Sequence, residues 1–386
     1  MFEYFRTNYV WNLATNLALG AGGIVGEIDD TCRSLVDASF RNDDAAQEEW
    51  FQAWGKLSHK IAGQARADES AGNLISAGRK FLRASIYFQN AERMAHPTDP
   101  RKKVMYAHML ECFKKGATYR KEPFEWVEVP YESTSLPALF VPAATGSKAP
   151  CMVHFDGLDV MKEWIYLTGV AGELKRRGVA TLIVDHPGVG EALRLRNLHS
   201  FPEMERAGTA SLDYLATRND VDADRVGIMA LSLGGYYAPR IAAFEPRFKC
   251  SVAWGAMWNW HKTVVARLNP NATTKPSVSH FGDHLKWVFG KNTLDEVLAV
   301  TEKFTHEHTA SKIKCPLLLV HGENDRQIPL EDAQKLYDAA GSAKKELKIF
   351  TLADGGAEHC QADNGSLAVD YMSDWIARTL GGHVNA

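Results

Sequence analysis

Hydrophobic and polar positions along this chain follow two rhythms, and the change between them falls near residue 123. Upstream, apolar residues return every three or four positions. Over 45–65, Trp50, Trp54, Leu57 and Ile61 stand at spacings of four, three and four, which puts them on one face of a helix. Asp68 then reads as the cap of a second helix over 68–95. Leu74, Ala77, Phe81, Ala84 and Phe88 form its apolar stripe, and Pro97 and Pro100 stop it. A third helix is predicted over 101–115, with Val104, Met105, His108 and Cys112 on its inner side. No strand pattern of any strength interrupts residues 1–120, so this part reads as an all-helical N-terminal region.

Downstream the period shortens to two. Segments 124–130 and 136–142 alternate around a turn at 133–135, the antiparallel start of a sheet. Strands then alternate with helices. Strands are expected over 150–154, 179–185, 225–231, 249–254, 316–321 and 347–351. Helices are expected over 163–177, 202–218 and 366–380, with one more between the last two strands. The 179–185 run is apolar without alternation, as in a strand buried on both faces. This order implies an α/β fold, a mainly parallel sheet covered by helices on both faces. Residues 255–311 break the alternation. They hold Trp258, Trp260, Trp287 and five histidines, and read as a lid insertion. The expected division is a helical cap over 1–120 and an α/β core over 121–386.

Composition narrows the function classes. A chain of 386 residues with 45% hydrophobic and 24% charged residues buries a large core. Its formal net charge of -3 argues against a nucleic-acid partner. The 6 cysteines lie far apart with no C-x-x-C pair, the pattern of buried thiols in a reducing cytoplasm. The fairly apolar stretch 9–25 is interrupted by Asn12, Thr15 and Asn16, so neither a signal peptide nor a membrane span is expected.

The candidate chemistry centres on Val226-Gly-Ile-Met-Ala-Leu-Ser232-Leu-Gly-Gly-Tyr236. An apolar strand runs into a serine flanked by leucines, then glycines, then a helix. This small-x-Ser-x-Gly arrangement is the nucleophile elbow of α/β-hydrolases, with Ala230 where glycine is more usual. A serine hydroxyl needs a base within hydrogen-bond reach, and the base needs an orienting carboxylate. In this fold the chain order is serine, acid, histidine. Asp325 fits the acid, after the 316–321 strand and Gly322, with Glu323 as the competing carboxylate. His359 fits the base, in a loop that Gly355 and Gly356 allow to bend. The oxyanion hole requires two backbone N–H groups. Leu233 supplies one, and Leu158 the other, with Gly157 as the alternative. The second glycine-rich loop, Asp185-His-Pro-Gly-Val-Gly190, lacks Gly-Lys-Ser/Thr and reads as a structural turn. His306 and His308 lack His-Glu-x-x-His spacing and read as solvated lid residues. No metal and no cofactor is expected.

Several stretches together carry a resemblance. They are Asp156-Gly-Leu-Asp-Val-Met-Lys-Glu163, Asp185-His-Pro-Gly-Val-Gly-Glu191, Leu231-Ser-Leu-Gly-Gly-Tyr236, Glu245-Pro-Arg247, Trp254-Gly255 and His321-Gly322 with Asp325. Across 48–380 the chain resembles the α/β-hydrolase family of 2,6-dihydroxypseudooxynicotine hydrolase, which cleaves a carbon–carbon bond. It is also similar to the fungal polyketide-shortening hydrolases of pigment synthesis and to FrsA-like esterases. The resemblance implies a helical cap beside a hydrolase core, often in a homodimer, and a triad of Ser232, Asp325 and His359. It also implies a part for Glu163 in orienting substrate or handling a proton. A glutamate stabilised at a helix N-terminus is the plainer reading of that residue. Ala230 and Leu231 depart from the family's usual Gly-Arg, and the 255–311 segment does not match clearly.

The resulting expectation is a serine hydrolase acting beside a carbonyl on a small, aromatic substrate, with C–C hydrolysis of an aryl ketone or β-dicarbonyl first. Tyr87, Trp164, Tyr166, Trp258 and Trp260 are the candidates for lining an aryl pocket. A carboxylesterase is the first alternative, and a hydrolase-fold binding protein without activity is the second. A peptidase is disfavoured for want of a propeller or similar gating domain.

Overall fold

The computed structural model describes residues 1–41, 43–143, 148–269 and 274–385. The chain divides into two compact units. One comprises Met1–Pro123 with Pro276–His284, the other Phe124–Lys275 with Leu285–Ala386.

The first unit is built from α1 (Tyr9–Gly20), α2 (Val25–Arg33), α3 (Asp44–Ser70), α4 (Leu74–Met94) and α5 (Pro100–Arg120). The predicted stripe of α3 is inside: Trp50, Trp54, Leu57 and Ile61 are all buried. It joins a ladder of rings, Phe5–Trp11–Trp50–Trp54–Tyr87, with centroids 5.3, 4.9, 5.2 and 5.8 Å apart. Two of the polar residues that interrupt 9–25, Asn12 and Asn16, bond to the chain before α1. The Asn12 side chain accepts from Phe5 N–H and donates to Phe5 O, both at 2.7 Å, and Asn16 Nδ2 donates to Phe2 O at 2.8 Å. Among the described residues no helix is long and apolar enough to cross a membrane.

Two expectations for this unit need correction. Asp68 does not cap α4, because α3 continues through it to Ser70. The break falls at Gly72, whose φ of +78° a side chain would strain, and Asp68 instead pairs with Lys80. The inner face of α5 is also turned from the predicted one. Val104 is exposed, while Tyr106, Met109, Leu110 and Phe113 are buried together with Cys112.

The second unit holds an eight-stranded sheet in the order β1-β2-β4-β3-β5-β6-β7-β8. The strands are β1 (Glu125–Tyr131), β2 (Thr134–Val141), β3 (Ala149–Phe155), β4 (Ala180–Val184), β5 (Val221–Leu231), β6 (Ser251–Trp254), β7 (Leu317–Gly322) and β8 (Lys345–Phe350). The β1/β2 and β2/β4 pairs are antiparallel and the remaining pairs parallel. Every residue of β3, β4, β6 and β7 is buried, the signature of strands covered on both faces.

Its helices are α6 (Lys162–Leu167), α7 (Val170–Arg176), α8 (Gly190–Arg194), α9 (Glu205–Ala216), α10 (Gly234–Phe244), α11 (Trp260–Leu268), α12 (Phe281–Phe289, whose first turn belongs to the helical unit), α13 (Leu294–Thr301), α14 (Leu330–Ala339) and α15 (Gly365–Leu380). The single helix predicted over 163–177 is two, because Gly169 turns at φ +86° between α6 and α7. The segment 255–311, of which 270–273 lie outside the described residues, is not one insertion. Residues Pro276–His284 belong with the helical unit. The rest packs into the sheet unit through Trp260, Phe289, Phe304 and Tyr236, with ring centroids 4.8 to 5.6 Å apart.

Candidate active site

Strand β5 ends at Leu231 and α10 starts at Gly234, leaving two residues for the reversal. Ser232 takes the sharpest part of it, with φ of +62°, a strained backbone for any side chain. Its N–H donates to Trp254 O at 2.8 Å. The small residues around it have steric causes. A Cβ on Gly234 would lie 2.5 Å from the Ala230 methyl, and one on Gly235 would strike the Gly255 carbonyl. Ala230 is therefore accommodated because Gly234 faces it.

The parallel strands bring three carboxyl ends together, where ligands bind in open α/β sheets. His359 follows β8 and places Nε2 2.9 Å from Ser232 Oγ. Its Nδ1 lies 2.7 Å from Asp325 Oδ2, in the turn after β7. Asp325 Oδ1 accepts from the N–H groups of Gln327 at 2.7 Å and Ile328 at 2.9 Å. Burial drives the Asp325 carboxyl upward, but the His359 charge and hydrogen bond outweigh it and hold the group down at about 2. Burial presses His359 the other way, and the Asp325 carboxylate prevails to raise it above the ordinary histidine value. Glu323, the competing acid, is exposed and accepts from Leu352 N–H instead.

The loop after β3 runs against this elbow. A Cβ on Gly157 would lie 2.6 Å from Leu231 O, 2.8 Å from Leu233 N and 2.8 Å from Ser232 Cβ, so only glycine fits. The Leu233 amide and the Gly157 backbone are thus neighbours. Leu158 follows, buried.

Residues not singled out from the sequence hold these parts in place. Glu358 accepts from Asn324 Nδ2 at 2.9 Å and Arg326 Nη2 at 3.0 Å, fastening the histidine loop to the aspartate turn. The adjacency of Arg326 to Asp325 and of Glu358 to His359 is the sequence signal for that clamp. Cys360 and Gln361 both turn at positive φ. They are anchored to Trp254, whose Nε1 donates to Gln361 Oε1 at 2.6 Å and whose carbonyl accepts from Cys360 Sγ at 3.3 Å. His186 is fully buried, with Nε2 3.1 Å from Asp156 O and its ring on Phe155 and Tyr237. It therefore joins the loop after β3 to the helix of the elbow.

Glu163 lies in a buried cluster of charges. It is 1% exposed, with Oε1 2.7 Å from Lys162 Nζ, a contact of charges rather than an aligned hydrogen bond. The same ammonium lies 2.9 Å from Asp185 Oδ2 and 2.5 Å from Glu191 Oε1. Burial pushes the Glu163 carboxyl upward against the pull of Lys162. The second glycine-rich loop is part of this quartet, since a Cβ on Gly190 would strike the Asp185 carboxylate.

The expected aryl pocket is also revised. Tyr87 is a core residue of the helical unit, its hydroxyl donating to Glu27 Oε2 at 2.7 Å and accepting from Ile24 N–H at 2.9 Å. Tyr166 packs edge-on against Phe124 at 4.7 Å, Trp260 is core, and Trp164 is 8% exposed. Trp258 is half-buried, its N–H donating to Asp332 Oδ2 at 3.0 Å. His306 is not solvated: it is buried against Tyr236 at 4.9 Å, and burial lowers it to about 3.

The profile of the prolyl oligopeptidase family matches residues 208–383. The hydrolase LUC6 of a Fusarium species is 31% identical over 424 aligned residues, covering 98% of this chain and 97% of that protein. The 2,6-dihydropseudooxynicotine hydrolase of Paenarthrobacter nicotinovorans is 26% identical, covering 86% of this chain and 84% of that one. A crystal structure of 2,6-dihydroxy-pseudo-oxynicotine hydrolase superposes with a TM-score of 0.76 at 23% identity over 96% of this chain and 97% of that one, a likeness of fold. With that fold and these relatives, the chain belongs to the α/β-hydrolase family that includes LUC6 and is related to 2,6-dihydropseudooxynicotine hydrolase.

Proposed function

We propose that the protein is a serine hydrolase that cleaves a bond next to a carbonyl, acting on a small aryl ketone or β-dicarbonyl substrate by C–C hydrolysis. The observation that carries the reading is the line Ser232 Oγ, His359 Nε2, His359 Nδ1, Asp325 Oδ2, with both contacts below 3 Å. Ser232 Oγ attacks the carbonyl carbon while its proton passes to His359 Nε2. The alkoxide that forms is held by Leu233 N–H and by an N–H of the Gly157–Leu158 loop. As the tetrahedral carbon collapses, the C–C bond breaks. The electron pair leaves on the carbon stabilised by the ring or second carbonyl, which takes the proton from His359. Water, deprotonated by the same imidazole, then attacks the acyl-enzyme and frees the acid and Ser232.

Asp325 keeps Nδ1–H facing itself, so that Nε2 carries the lone pair the serine needs. Glu163, buried against Lys162, supports the site through that ion pair. The resemblance to a hydrolase of a pseudooxynicotine, an aryl ketone, supports putting ketone cleavage ahead of ester cleavage. We read the protein as a homodimer, which light scattering of the purified chain checks.

The test uses an aryl β-diketone and an aryl ester side by side, with fluorophosphonate labelling of the wild type and Ser232→Ala. Diketone cleavage and labelling that both vanish in Ser232→Ala support the reading. Ester turnover alone makes the protein a carboxylesterase. Absence of labelling in the wild type leaves a binding protein and ends the catalytic reading.

A further inference from the structure

The helical unit carries a group of metal-binding side chains that the hydrolase chemistry does not use. Helix α4 ends at Met94, and His96 opens the turn to α5. His280 immediately precedes α12, and Asp283 lies in the first turn of that helix. His96 Nε2 is 3.3 Å from Asp283 Oδ2. The His96 and His280 rings stand edge to face, 5.0 Å between centroids. One ligand atom from each of the three residues lies within 4.8 Å of the other two, and all three are half-buried. They line an open pocket of about 460 Å³ together with Asp44, whose Oδ1 is 4.0 Å from His280 Nδ1.

We propose that His96, His280 and Asp283 bind a divalent transition metal, with zinc the best fit and Asp44 as fourth ligand. Ligands about 2.0–2.1 Å from a tetrahedral zinc lie roughly 3.3 Å from one another. The His96–Asp283 separation already has that value. Asp44, whose side chain is 96% exposed, has room to close its 4.0 Å separation from His280. Two imidazoles and one or two carboxylates suit zinc, whereas magnesium and calcium select oxygen alone.

An outer-shell partner is in place. His96 Nδ1 lies 2.8 Å from Thr98 Oγ1, which can accept its proton once Nε2 holds the metal. The Thr98 N–H, now 3.2 Å from the same nitrogen, then loses that acceptor. In the metal-bound form the returning segment Pro276–His284 is fastened to the α4–α5 turn of the same unit.

The experiment titrates the chelator-stripped full chain with zinc chloride by calorimetry. Cobalt(II) absorption reports geometry, and magnesium chloride is the control. The expected result is one equivalent of zinc, the visible spectrum of tetrahedral cobalt and a melting temperature that rises with zinc. His280→Gln, His96→Ala and Asp283→Ala should each weaken zinc binding by about ten-fold or more, since loss of even an outer-shell partner costs that much. Fluorophosphonate labelling of Ser232 should stay unchanged in all three. His280→Gln keeps polarity and bulk, so its folding guards against a trivial loss. Zinc binding that survives all three substitutions, or no zinc binding by the wild type, overturns the site.

Discussion

Asp325→Asn isolates the electrostatic design of the site with almost no change of shape. In the native arrangement one carboxylate oxygen serves two backbone N–H groups, of Gln327 and Ile328, and the other serves His359 Nδ1. An asparagine has one acceptor oxygen and one amino group, so it must choose. If the amide turned its oxygen to His359, its NH2 would face two buried donors. Each such donor left unpaired costs about 1–3 kcal/mol. Keeping the oxygen on the two amides sacrifices only the single contact to the imidazole, so this orientation wins. The NH2 then points at Nδ1, which must accept. The imidazole proton moves to Nε2, where it faces Ser232 Oγ and blocks the base. A wrong tautomer of this kind lowers turnover about 10⁴-fold, which corresponds to about 5 kcal/mol of transition-state stabilisation. The assay is kcat/KM on an aryl ester or β-diketone together with the fluorophosphonate labelling rate, with thermal melting to verify folding. Turnover within ten-fold of wild type in a folded Asp325→Asn protein would refute both the amide orientation and the role given to Asp325.

Three further outcomes are expected. Gly157→Ala forces a methyl against the Leu231, Ser232 and Leu233 backbone; we expect labelling of Ser232 to fall at little change in KM, with a loss of about 1–3 kcal/mol in urea unfolding. Lys162→Met strands three carboxylates in the interior and should cost about 3–5 kcal/mol, more at pH 8 than at pH 5, where Glu163, held above the ordinary carboxylate value by burial, takes up a proton. Because the His359 value is raised above 6.5, kcat/KM should climb with pH through an inflection above that value, and Asp325→Asn should lower the inflection. Stability follows with the opposite signs for the two partners. The His359 contribution is complete below 6.5 and fades as pH rises through the raised value. The Asp325 contribution is complete above 3.8 and fades as pH falls through about 2.

Much of the sheet was written in the chain. All eight strands lie within a few residues of the predicted runs, most plainly β3, β4, β6 and β7, because a strand covered on both faces admits few polar residues. Ser232, Asp325 and His359 stand out because each follows a strand and lies beside glycines that permit a sharp turn, in the chain order this fold requires. The helices of the first unit were legible wherever one face is buried, as in α3. They were misjudged at Asp68, where a cap residue sits one turn before the actual break, and in α5, whose Lys102 has its stem and charge inside. Polar side chains that find partners leave no periodic trace, so pattern reading cannot see them.

The sequence alone therefore determined the rhythm of elements and the place of the strand–serine–helix turn, since both depend on local periodicity and local backbone geometry. The tertiary structure decided which side chains share a space. It set Gly157 against the Leu233 amide and gathered Glu163, Asp185 and Glu191 around Lys162. It made Tyr87 a rung of an aromatic ladder, and it brought His280 beside His96. Each of these juxtapositions joins residues from separate elements, and they are fixed by sheet order and packing, which no short window of sequence contains.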